Sequence, residues 1–476
     1  MARRPNVVVL MSDHTNAQAL APGGPCLTPH FDRLAREGLR FAHCYTTNAI
    51  CSPARASLMT GTYPSTHGVW DCTHTQRREW VDIREGLEHW SQRLAEVGYV
   101  NGYFGKWHVE QSERLEDFRW AEYDIREVQS WRGSPIPGTE IVVRKEGYQD
   151  YLLAAASRDD EPARHPAFDR GIDFVRRHAG QEQPFCCFVS TAEPHDPYAP
   201  PKSFLDQYDL ASVQLSPTLR ETNSSGKPEV VSRMRAVWSE LTDDDWRRIT
   251  AAYCATVTFL DSESGRLMTA LKETGAYENT IIIVTSDHGD MLGGHGLATK
   301  GVGTPYEEVY NIPLIIRAPG LRGGEEGDHK VSLLDVAPTI LDLCGVEALG
   351  RCQGRSLRPV LDGSSDPSEW RDAYAEFFGQ RFVYTQRIVW HDDWKYVFSP
   401  GGVDELYDLS QDPHEERNLA ALPAFRDKLT EMATCMWRKI AEIGDESLLN
   451  TQYATLRTAP IGPGAIHGAQ HRPSNE

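Results

Sequence analysis

Runs of consecutive apolar residues that end in polar clusters are the main pattern of this chain of 476 residues. Four of these runs predict strands that are buried on both faces: Asn6 to Met11, Tyr99 to Phe104, Phe185 to Thr191 and Thr280 to Ser286. Arg40 to Thr47 predicts a further strand. In open α/β sheets functional groups collect at the carboxyl ends of strands, so the polar residues after each run are candidates for a site.

Segments of helical periodicity, with start and stop signals, alternate with these strands. Helices are predicted from about Thr28 to Gly38, with Thr28 as the cap, and over Leu87 to Val97, Asp243 to Thr274, Ser332 to Leu343 and Phe425 to Ile443. Strands that alternate with helices favour an α/β fold, in which a large and mainly parallel sheet has helices on both faces.

The composition shifts to loop residues near Asp362, which predicts a boundary between a domain at residues 1–363 and a smaller α+β domain at 364–476. The smaller domain is expected to hold an antiparallel sheet, a helix and a disordered tail from about Pro460. Residues 110–164 and 200–242 are polar and rich in turn signals. They predict long irregular insertions that border a pocket and select a substrate.

Composition narrows the class of protein. With 40% hydrophobic and 25% charged residues, the chain is typical of a soluble globular protein. A formal net charge of -19 argues against nucleic acid or an anionic membrane as a partner. The ten cysteines have no regular spacing, so most are expected to be core thiols. Because we find neither a signal-peptide pattern nor a membrane-length apolar run, a cytoplasmic protein is expected.

Cys51 is the cysteine that we single out, because Cys51-Ser52-Pro53-Ala54-Arg55 reads as the start of a helix. A helix N-terminus favours an anion, and Arg55 lies one turn further on the same face. An ordinary buried thiol beside a capped helix is the alternative. A thiolate phosphatase needs its arginine six residues after the cysteine, where this chain has Ser57.

Four strand ends also carry polar clusters. They are Asp13, Gly105 to His108, Glu193 to Pro197, and Asp287 with His288. Taken alone, each cluster is also explained by a solvated turn or a helix cap. All four together, with Cys51 between the first and the second, favour one shared site.

These motifs resemble the type I sulfatases, which use formylglycine and belong to the alkaline phosphatase superfamily. The resemblance is carried by the Cys-x-Pro-x-Arg and Leu-x-Thr-Gly elements after Cys51, by Gly-Lys-x-His at Gly105, by Pro-His-x-Pro at Pro194 and by Ser-Asp-His-Gly at Ser286. It covers roughly residues 5 to 345 and, more weakly, Glu405 to Leu419. It implies an alkaline phosphatase-like sandwich.

The resemblance also implies the cofactors. Cys51 would be oxidised to formylglycine by a formylglycine-generating enzyme, and its hydrate would join Asp13, Asp287 and His288 around one divalent cation. Calcium is the expected ion, with manganese and magnesium as alternatives. His14 stands where the commonest pattern has a second aspartate, so either it is a ligand or the site has one carboxylate fewer.

The same resemblance implies a hydrolysis in two steps. A diol oxygen displaces the alcohol and forms a covalent sulfate ester, while His195 with Lys300 protonates the leaving oxygen. His108 then takes the second hydroxyl proton and releases sulfate. Arg55, Lys106 and Lys300 stabilise charge on the transferred group.

Three functions remain in competition. The leading one is a sulfatase that acts on an aryl, alkyl or sugar sulfate. The second is a phosphonate monoester or phosphodiester hydrolase of the same superfamily, which also tends to lack the second early aspartate that His14 replaces. The third is a silent binding protein in which Cys51 stays a thiol. A homo-oligomer is possible in each case.

Overall fold

The structure is a computed structural model that describes residues 3–74, 81–125, 139–146, 151–157, 163–221, 226–321 and 326–449, together with 462, 463 and 466. The predicted disordered tail from about Pro460 lies almost entirely outside the described residues.

Fourteen strands are found in the described residues. In chain order they are β1 (Asn6–Ser12), β2 (Leu39–Tyr45), β3 (Val100–Gly105), β4 (Glu122–Asp124), β5 (Thr139–Lys145), β6 (Tyr151–Ser157), β7 (Phe185–Ser190), β8 (Thr280–Ser286), β9 (Asn311–Arg317), β10 (Glu326–Ser332), β11 (Asp372–Gly379), β12 (Val383–His391), β13 (Trp394–Phe398) and β14 (Glu405–Asp408).

The described α-helices number thirteen. They are α1 (Pro29–Glu37), α2 (Cys51–Thr60), α3 (Pro64–His67), α4 (Trp90–Glu96), α5 (Pro166–His178), α6 (Lys202–Leu205), α7 (Glu229–Trp238), α8 (Asp243–Glu273), α9 (Glu307–Tyr310), α10 (Val336–Leu343), α11 (Arg358–Leu361), α12 (Arg426–Ile443) and α13 (Glu446–Leu449).

Eight strands form one large sheet in the order β10-β2-β9-β8-β1-β7-β3-β4. Within it only β9 runs antiparallel to its neighbours, so the prediction of a mainly parallel sheet is confirmed. The central strand β1 pairs with β8 on one side and with β7 on the other. Because β1, β3, β7 and β8 are parallel, their carboxyl ends meet at one edge of the sheet.

Alternate side chains of β1 enter two different cores. Val8 and Leu10 pack with side chains of α1, α5 and α8, whereas Val7, Val9 and Met11 pack with those of α2, α4 and α10. Strands buried on both faces read as continuous apolar runs, which is the pattern that predicted them. The predicted sandwich of helices around the sheet is therefore confirmed.

The helix α1 is capped from another part of the chain. The Thr28 side chain, which the sequence predicts as the cap, makes no capping hydrogen bond. Instead the carboxylate of Asp261 in α8 accepts the backbone N–H groups of Phe31 at 2.7 Å and His30 at 3.2 Å. The prediction of the Thr28 cap is wrong because packing of α8 against α1 brings a stronger acceptor to the same amides.

The two insertions are more regular than predicted. Within 110–164, β5 and β6 form an antiparallel pair, and residues 152–156 of β6 are buried. Within 200–242 the structure has α6 and α7. Residues 126–138, 147–150, 158–162 and 222–225 of these insertions lie outside the described residues.

A four-stranded antiparallel sheet, in the order β11-β12-β13-β14, follows the large one. The predicted helix over Phe425 to Ile443 is α12, and it packs against this sheet, with Met432, Met436 and Trp437 in their common core. The strand β11 was not predicted. The proposed boundary at residue 363 stays a prediction.

None of the helices among the described residues is both long and apolar enough to span a membrane. The ten cysteines all lie in the described part of the chain, and each is a free thiol.

Candidate active site

Cys51 is the first residue of α2, as the sequence predicts, and it is almost completely buried. The helix ends at Gly61, whose φ of 65° is the left-handed conformation that glycine adopts without strain. Every residue of α2 is buried, so the helix is locked in the core beneath the sheet edge. The Cys51 side chain is thereby held in a fixed position at a helix N-terminus.

The thiol of Cys51 faces two of the predicted metal ligands. Its Sγ lies 3.2 Å from His288 Nε2 and 3.7 Å from Asp13 Oδ1. His288 Nδ1 lies 2.9 Å from the Gly289 carbonyl, to which it donates, so Nε2 presents its lone pair to the site. Asp13, at the end of β1, and His288, after β8, meet because these strands are parallel neighbours.

A network of cations holds the two buried aspartates. Lys106 donates to Asp13 Oδ2. Arg55 donates through Nε to Asp287 Oδ2 at 2.8 Å, and through Nη1 to Ser190 Oγ at 2.7 Å and the Lys106 carbonyl at 3.1 Å. Arg55 therefore binds the carboxylate and two strand ends at once, and it fixes the geometry of the site.

His14 belongs to the same cluster. Its ring nitrogens bridge two groups: Nδ1 lies 2.7 Å from Asp290 Oδ2, and Nε2 contacts Lys300 and lies 3.7 Å from Asp13 Oδ1. A carboxylate at Nδ1 fixes the proton there, so the Nε2 lone pair accepts the hydrogen bond from Lys300. Asp290 was not predicted as a site residue, although it directly follows the Ser-Asp-His-Gly motif and could have been found there.

Lys300 joins His14 to His195. Its Nζ donates to His195 Nε2 at 3.0 Å, while His195 Nδ1 lies 2.7 Å from the Asp196 carbonyl oxygen, to which it donates. The rings of His14 and His195 are 4.1 Å apart. Asp196 was also not predicted, although it lies inside the Pro-His-x-Pro element.

His108 stands apart from the other predicted residues. Its Nε2 lies 2.9 Å from His74 Nδ1, and the two rings stack. It connects to the nucleophile position through Cys72, whose thiol hydrogen bonds to Cys51. Cys72 and His74 were not predicted as site residues, because their segment does not follow any of the predicted strands.

Neighbouring groups shift the pKa of the Cys51 thiol. A hydrogen bond from Cys72 and, against the effect of burial, the ammonium groups of Lys106 and Lys300 lower the pKa of the Cys51 thiol well below its ordinary value. Burial and Cys51 oppose ionisation of Asp13, but its pKa is held well below the ordinary value, and the Lys106 ammonium is the largest cause that lowers it. The ammonium groups of Lys106 and Lys300 therefore stabilise negative charge at Cys51, and Lys106 stabilises it at Asp13.

The proton in the Lys300–His195 contact belongs to the lysine. Burial first, and then the Lys300 ammonium, lower the pKa of His195 well below its ordinary value. The pKa of Lys300 is raised despite burial, because Cys51, Asp13 and Asp196 stabilise its charge. His195 is thus a neutral ring that accepts a hydrogen bond from a charged neighbour.

The donor set fits a divalent cation. Four ligand atoms of Asp13, His14, Cys51 and His288 lie within 4.8 Å of one another, all of them buried. The Asp287 Oδ1 oxygen lies beside them, 3.8 Å from His288 Nε2. Carboxylate oxygens with imidazole nitrogens are the donors that such ions take in proteins.

Comparison with known families agrees with this geometry. The family model described as Sulfatase matches residues 5–346, and a second one, described as N-sulphoglucosamine sulphohydrolase, C-terminal, matches residues 293–443. The chain belongs to the sulfatase family. Sulfatases are sulfuric ester hydrolases, and the recognition of this family from the sequence motifs is confirmed.

Curated relatives match over nearly the whole chain. The uncharacterized sulfatase YidJ of Escherichia coli (strain K12) is 30% identical over 93% of this chain and 88% of its own length. The N-acetylglucosamine-6-O-sulfatase of Bacteroides thetaiotaomicron is 26% identical over 90% of this chain and 85% of its own.

Solved structures share the fold. The phosphonate monoester hydrolase of Silicibacter pomeroyi has a TM-score of 0.74 at 25% identity, covering 94% of this sulfatase-family chain and 97% of its own. A protein in complex with its substrate D-glucosamine-2-N,6-O-disulfate has a TM-score of 0.74 at 22% identity, covering 93% and 98%. The second likeness supports the fold alone.

Proposed function

We propose that this sulfatase-family enzyme hydrolyses a sulfate ester through formylglycine at position 51 and one divalent metal ion. The single observation that carries the proposal is the convergence of Cys51, Asp13 and His288 at the first turn of a buried helix. The ammonium groups of Lys106 and Lys300 lie around them. A tetrahedral anion at this point would meet positive charge on several sides.

The cation and the formylglycine hydrate would supply a nucleophilic oxygen at neutral pH when both are in place. Asp13, Asp287 and His288 are proposed to hold the cation, and His14 is proposed as a further ligand through Nε2, which would then bind the ion in place of Lys300. Calcium stays our predicted ion, with manganese as the alternative that two imidazole donors favour. Arg55 is a positioning residue, since its hydrogen bonds go to Asp287, Ser190 and Lys106.

Two groups are proposed to transfer protons in the reaction. Lys300 holds a proton against His195 Nε2, so the pair can donate to the oxygen of the departing alcohol. His108 is proposed as the base of the second step, and it is connected to Cys51 through Cys72. Acid and base thus approach position 51 from different segments, after β7 and β3.

A second candidate is a phosphonate monoester hydrolase. The specific observation in its favour is His14, which replaces a second aspartate with a neutral ring bonded to Asp290 and Lys300. One carboxylate fewer makes the site less negative, and this would help it to accept a substrate that keeps a charge. The similarity to the phosphonate monoester hydrolase of Silicibacter pomeroyi agrees with this alternative.

The test is the ratio of kcat/KM for an aryl sulfate over the matching aryl phosphonate monoester, measured on metal-replete enzyme. We expect a ratio well above one. A ratio well below one would identify the phosphonate hydrolase and reject the sulfatase assignment for this chain.

Maturation needs a partner, the formylglycine-generating enzyme that oxidises Cys51. Mass spectrometry of the peptide that spans Cys51, from protein made in an aerobic native host, should show the mass loss of this conversion. An unchanged cysteine mass would support a silent binding protein. A cytoplasmic location and a homo-oligomer stay predictions.

A further inference from the structure

A second group of side chains that could bind a metal shares no residue with the Asp13 cluster and contacts it through the hydrogen bond between Cys72 and Cys51. It consists of Cys72, His74 and His108, whose ligand atoms all lie within 4.8 Å of one another. Cys72 is buried, His108 is half-buried and His74 is exposed. The group is therefore reachable by an ion from solvent.

The two imidazoles of this group are already placed as a pair. His74 Nδ1 and His108 Nε2 are 2.9 Å apart, and the rings stack at 5.1 Å with an interplanar angle of 18°. In the neutral pair one N–H donates to the lone pair of the other ring. Two nitrogens bound to a tetrahedral Zn²⁺ lie about 3.3 Å apart. A small increase in the distance between His74 Nδ1 and His108 Nε2 therefore lets Zn²⁺ replace the hydrogen that the two nitrogens share.

The donor types select the ion. Cys72 and His74 come from one short segment with a single residue between them, and His108 comes from the segment after β3. One sulfur and two imidazole nitrogens suit a borderline-soft cation such as Zn²⁺, whereas Ca²⁺ and Mg²⁺ take oxygen donors. This group and the oxygen-containing Asp13 cluster therefore differ in the metals that they prefer.

We propose that Cys72, His74 and His108 form an inhibitory site for Zn²⁺ in this enzyme. The inhibitory role rests on the proposed function, since His108 is there the base of the second step. A ring with a metal on Nε2 and a hydrogen on Nδ1 has no lone pair left, so His108 cannot accept a proton while the ion is bound.

Zinc stoichiometry of the full chain tests the site without any measurement of activity. His74→Ala and Cys72→Ser should each bind one equivalent of Zn²⁺ fewer than wild type, because both leave Asp13, Asp287 and His288 in place. The matched controls are Cys352→Ser and His414→Ala, a half-buried thiol and an exposed imidazole elsewhere in the chain, which should bind as wild type does.

Cobalt reports the sulfur ligand directly. In a Cys51→Ala background, which removes the other thiol of the site, Co²⁺ should give a near-ultraviolet thiolate charge-transfer band. The additional change Cys72→Ser should abolish this band, and Cys352→Ser should keep it. A band of the same intensity in both would show that Cys72 is not a ligand and would overturn the site.

Inhibition is then measured on a sulfate ester. Zn²⁺ should inhibit wild type at concentrations at least about tenfold lower than those that inhibit His74→Ala. If wild type and His74→Ala bind the same number of Zn²⁺ equivalents, the site is overturned. If His74→Ala binds one equivalent fewer but is inhibited at the same Zn²⁺ concentration as wild type, the inhibitory role is overturned. If wild type hydrolyses neither sulfate nor phosphonate esters, the proposed function and the inhibitory role fall together, while zinc stoichiometry still decides the site.

Discussion

Individual residues of this site have two kinds of role, and their contacts distinguish them. Cys51, Asp13 and His288 are buried and face one another, so we propose that they contact the reacting group. Arg55 is equally buried, but its Nε and Nη1 donate to protein oxygens, so it holds Asp287 and Ser190 in place, while its Nη2 has no hydrogen-bond partner among the described residues. Substitution of a residue of the first kind should remove catalytic activity. Substitution of a residue of the second kind should displace the side chains that it holds.

Cys51→Ala should abolish turnover and leave the fold unchanged. The side chain is small and buried at a helix start, where alanine fits, but the nucleophile precursor is gone. We expect kcat/KM for an aryl sulfate to fall by at least about a thousandfold. Cys352→Ser serves as the control thiol and should keep both activity and melting temperature. Activity of Cys51→Ala near that of wild type would contradict the mechanism.

His195→Ala should matter most for poor leaving groups. An alkyl alkoxide needs a proton from the Lys300–His195 pair as it departs, whereas an activated phenolate leaves without one. We expect kcat to fall about a hundredfold or more on an alkyl sulfate, and much less on a nitrophenyl sulfate. The ratio of the two losses is the measurement, and equal losses on both would remove His195 from the acid role.

At the scale of elements, the parallel strands determine where the site lies and the helices determine how firmly it is held. The ends of β1, β3, β7 and β8 supply Asp13, Lys106, His195 and Asp287 with His288. The helix α2 enters this edge with Cys51 at its N-terminus. The neighbouring helix α1 is held by a tertiary contact, the carboxylate of Asp261 in α8.

Asp261→Ala should destabilise the protein by about 1 to 2 kcal/mol, because two amides at the start of α1 lose their acceptor. Thermal or urea unfolding measures the loss. Asp261→Asn keeps an acceptor oxygen and should lose less. Asp244→Ala, a change at an exposed acid on the same helix, is the control and should have little effect.

The same residue predicts a pH dependence of stability. Burial raises the pKa of Asp261 to about 7. The folded protein then binds more protons than the unfolded chain between the two pKa values, so stability falls as pH rises from about 4 to about 7. Asp261→Asn has no such proton, and its stability should decline less between pH 5 and pH 7 than that of wild type. Parallel stability curves for the two proteins would contradict the raised pKa.

At the scale of the whole molecule, the smaller sheet is attached directly to the segment that carries the nucleophile. The Glu376 backbone N–H in β11 donates to the Thr47 carbonyl at 2.9 Å. Its carboxylate accepts the Ser65 N–H at 2.6 Å and the Ser65 hydroxyl at 2.7 Å. These bonds flank α2 on both sides, so the C-terminal sheet helps to fix Cys51.

Glu376→Ala should therefore weaken the attachment of the smaller sheet. Removal of a buried acceptor leaves the Ser65 donors unsatisfied, at a cost of about 1 to 3 kcal/mol. The melting temperature should fall, and kcat should fall with it as α2 loosens. Glu369→Ala, at an exposed acid of the same region, should change neither. A full loss of stability without any effect on kcat would show that the sheet does not position the nucleophile.

The local pattern of the sequence was sufficient for the architecture and for most of the site. Continuous apolar runs identify strands that are buried on both faces, and parallel strands bring their carboxyl ends together, so Asp13, Lys106, His195 and Asp287 were predictable as a group. The helix at Cys51 was equally readable, because Pro53 near its start and Gly61 at its end are local signals.

Contacts between distant segments were decided by the tertiary structure alone. Asp261 replaces Thr28 as the cap of α1, and Asp290 fixes the ring of His14. Cys72 and His74 lie next to His108 although no local pattern marks them. The physical reason is that such partners are selected by packing across the fold, and packing brings together side chains whose separation along the chain carries no periodic signal.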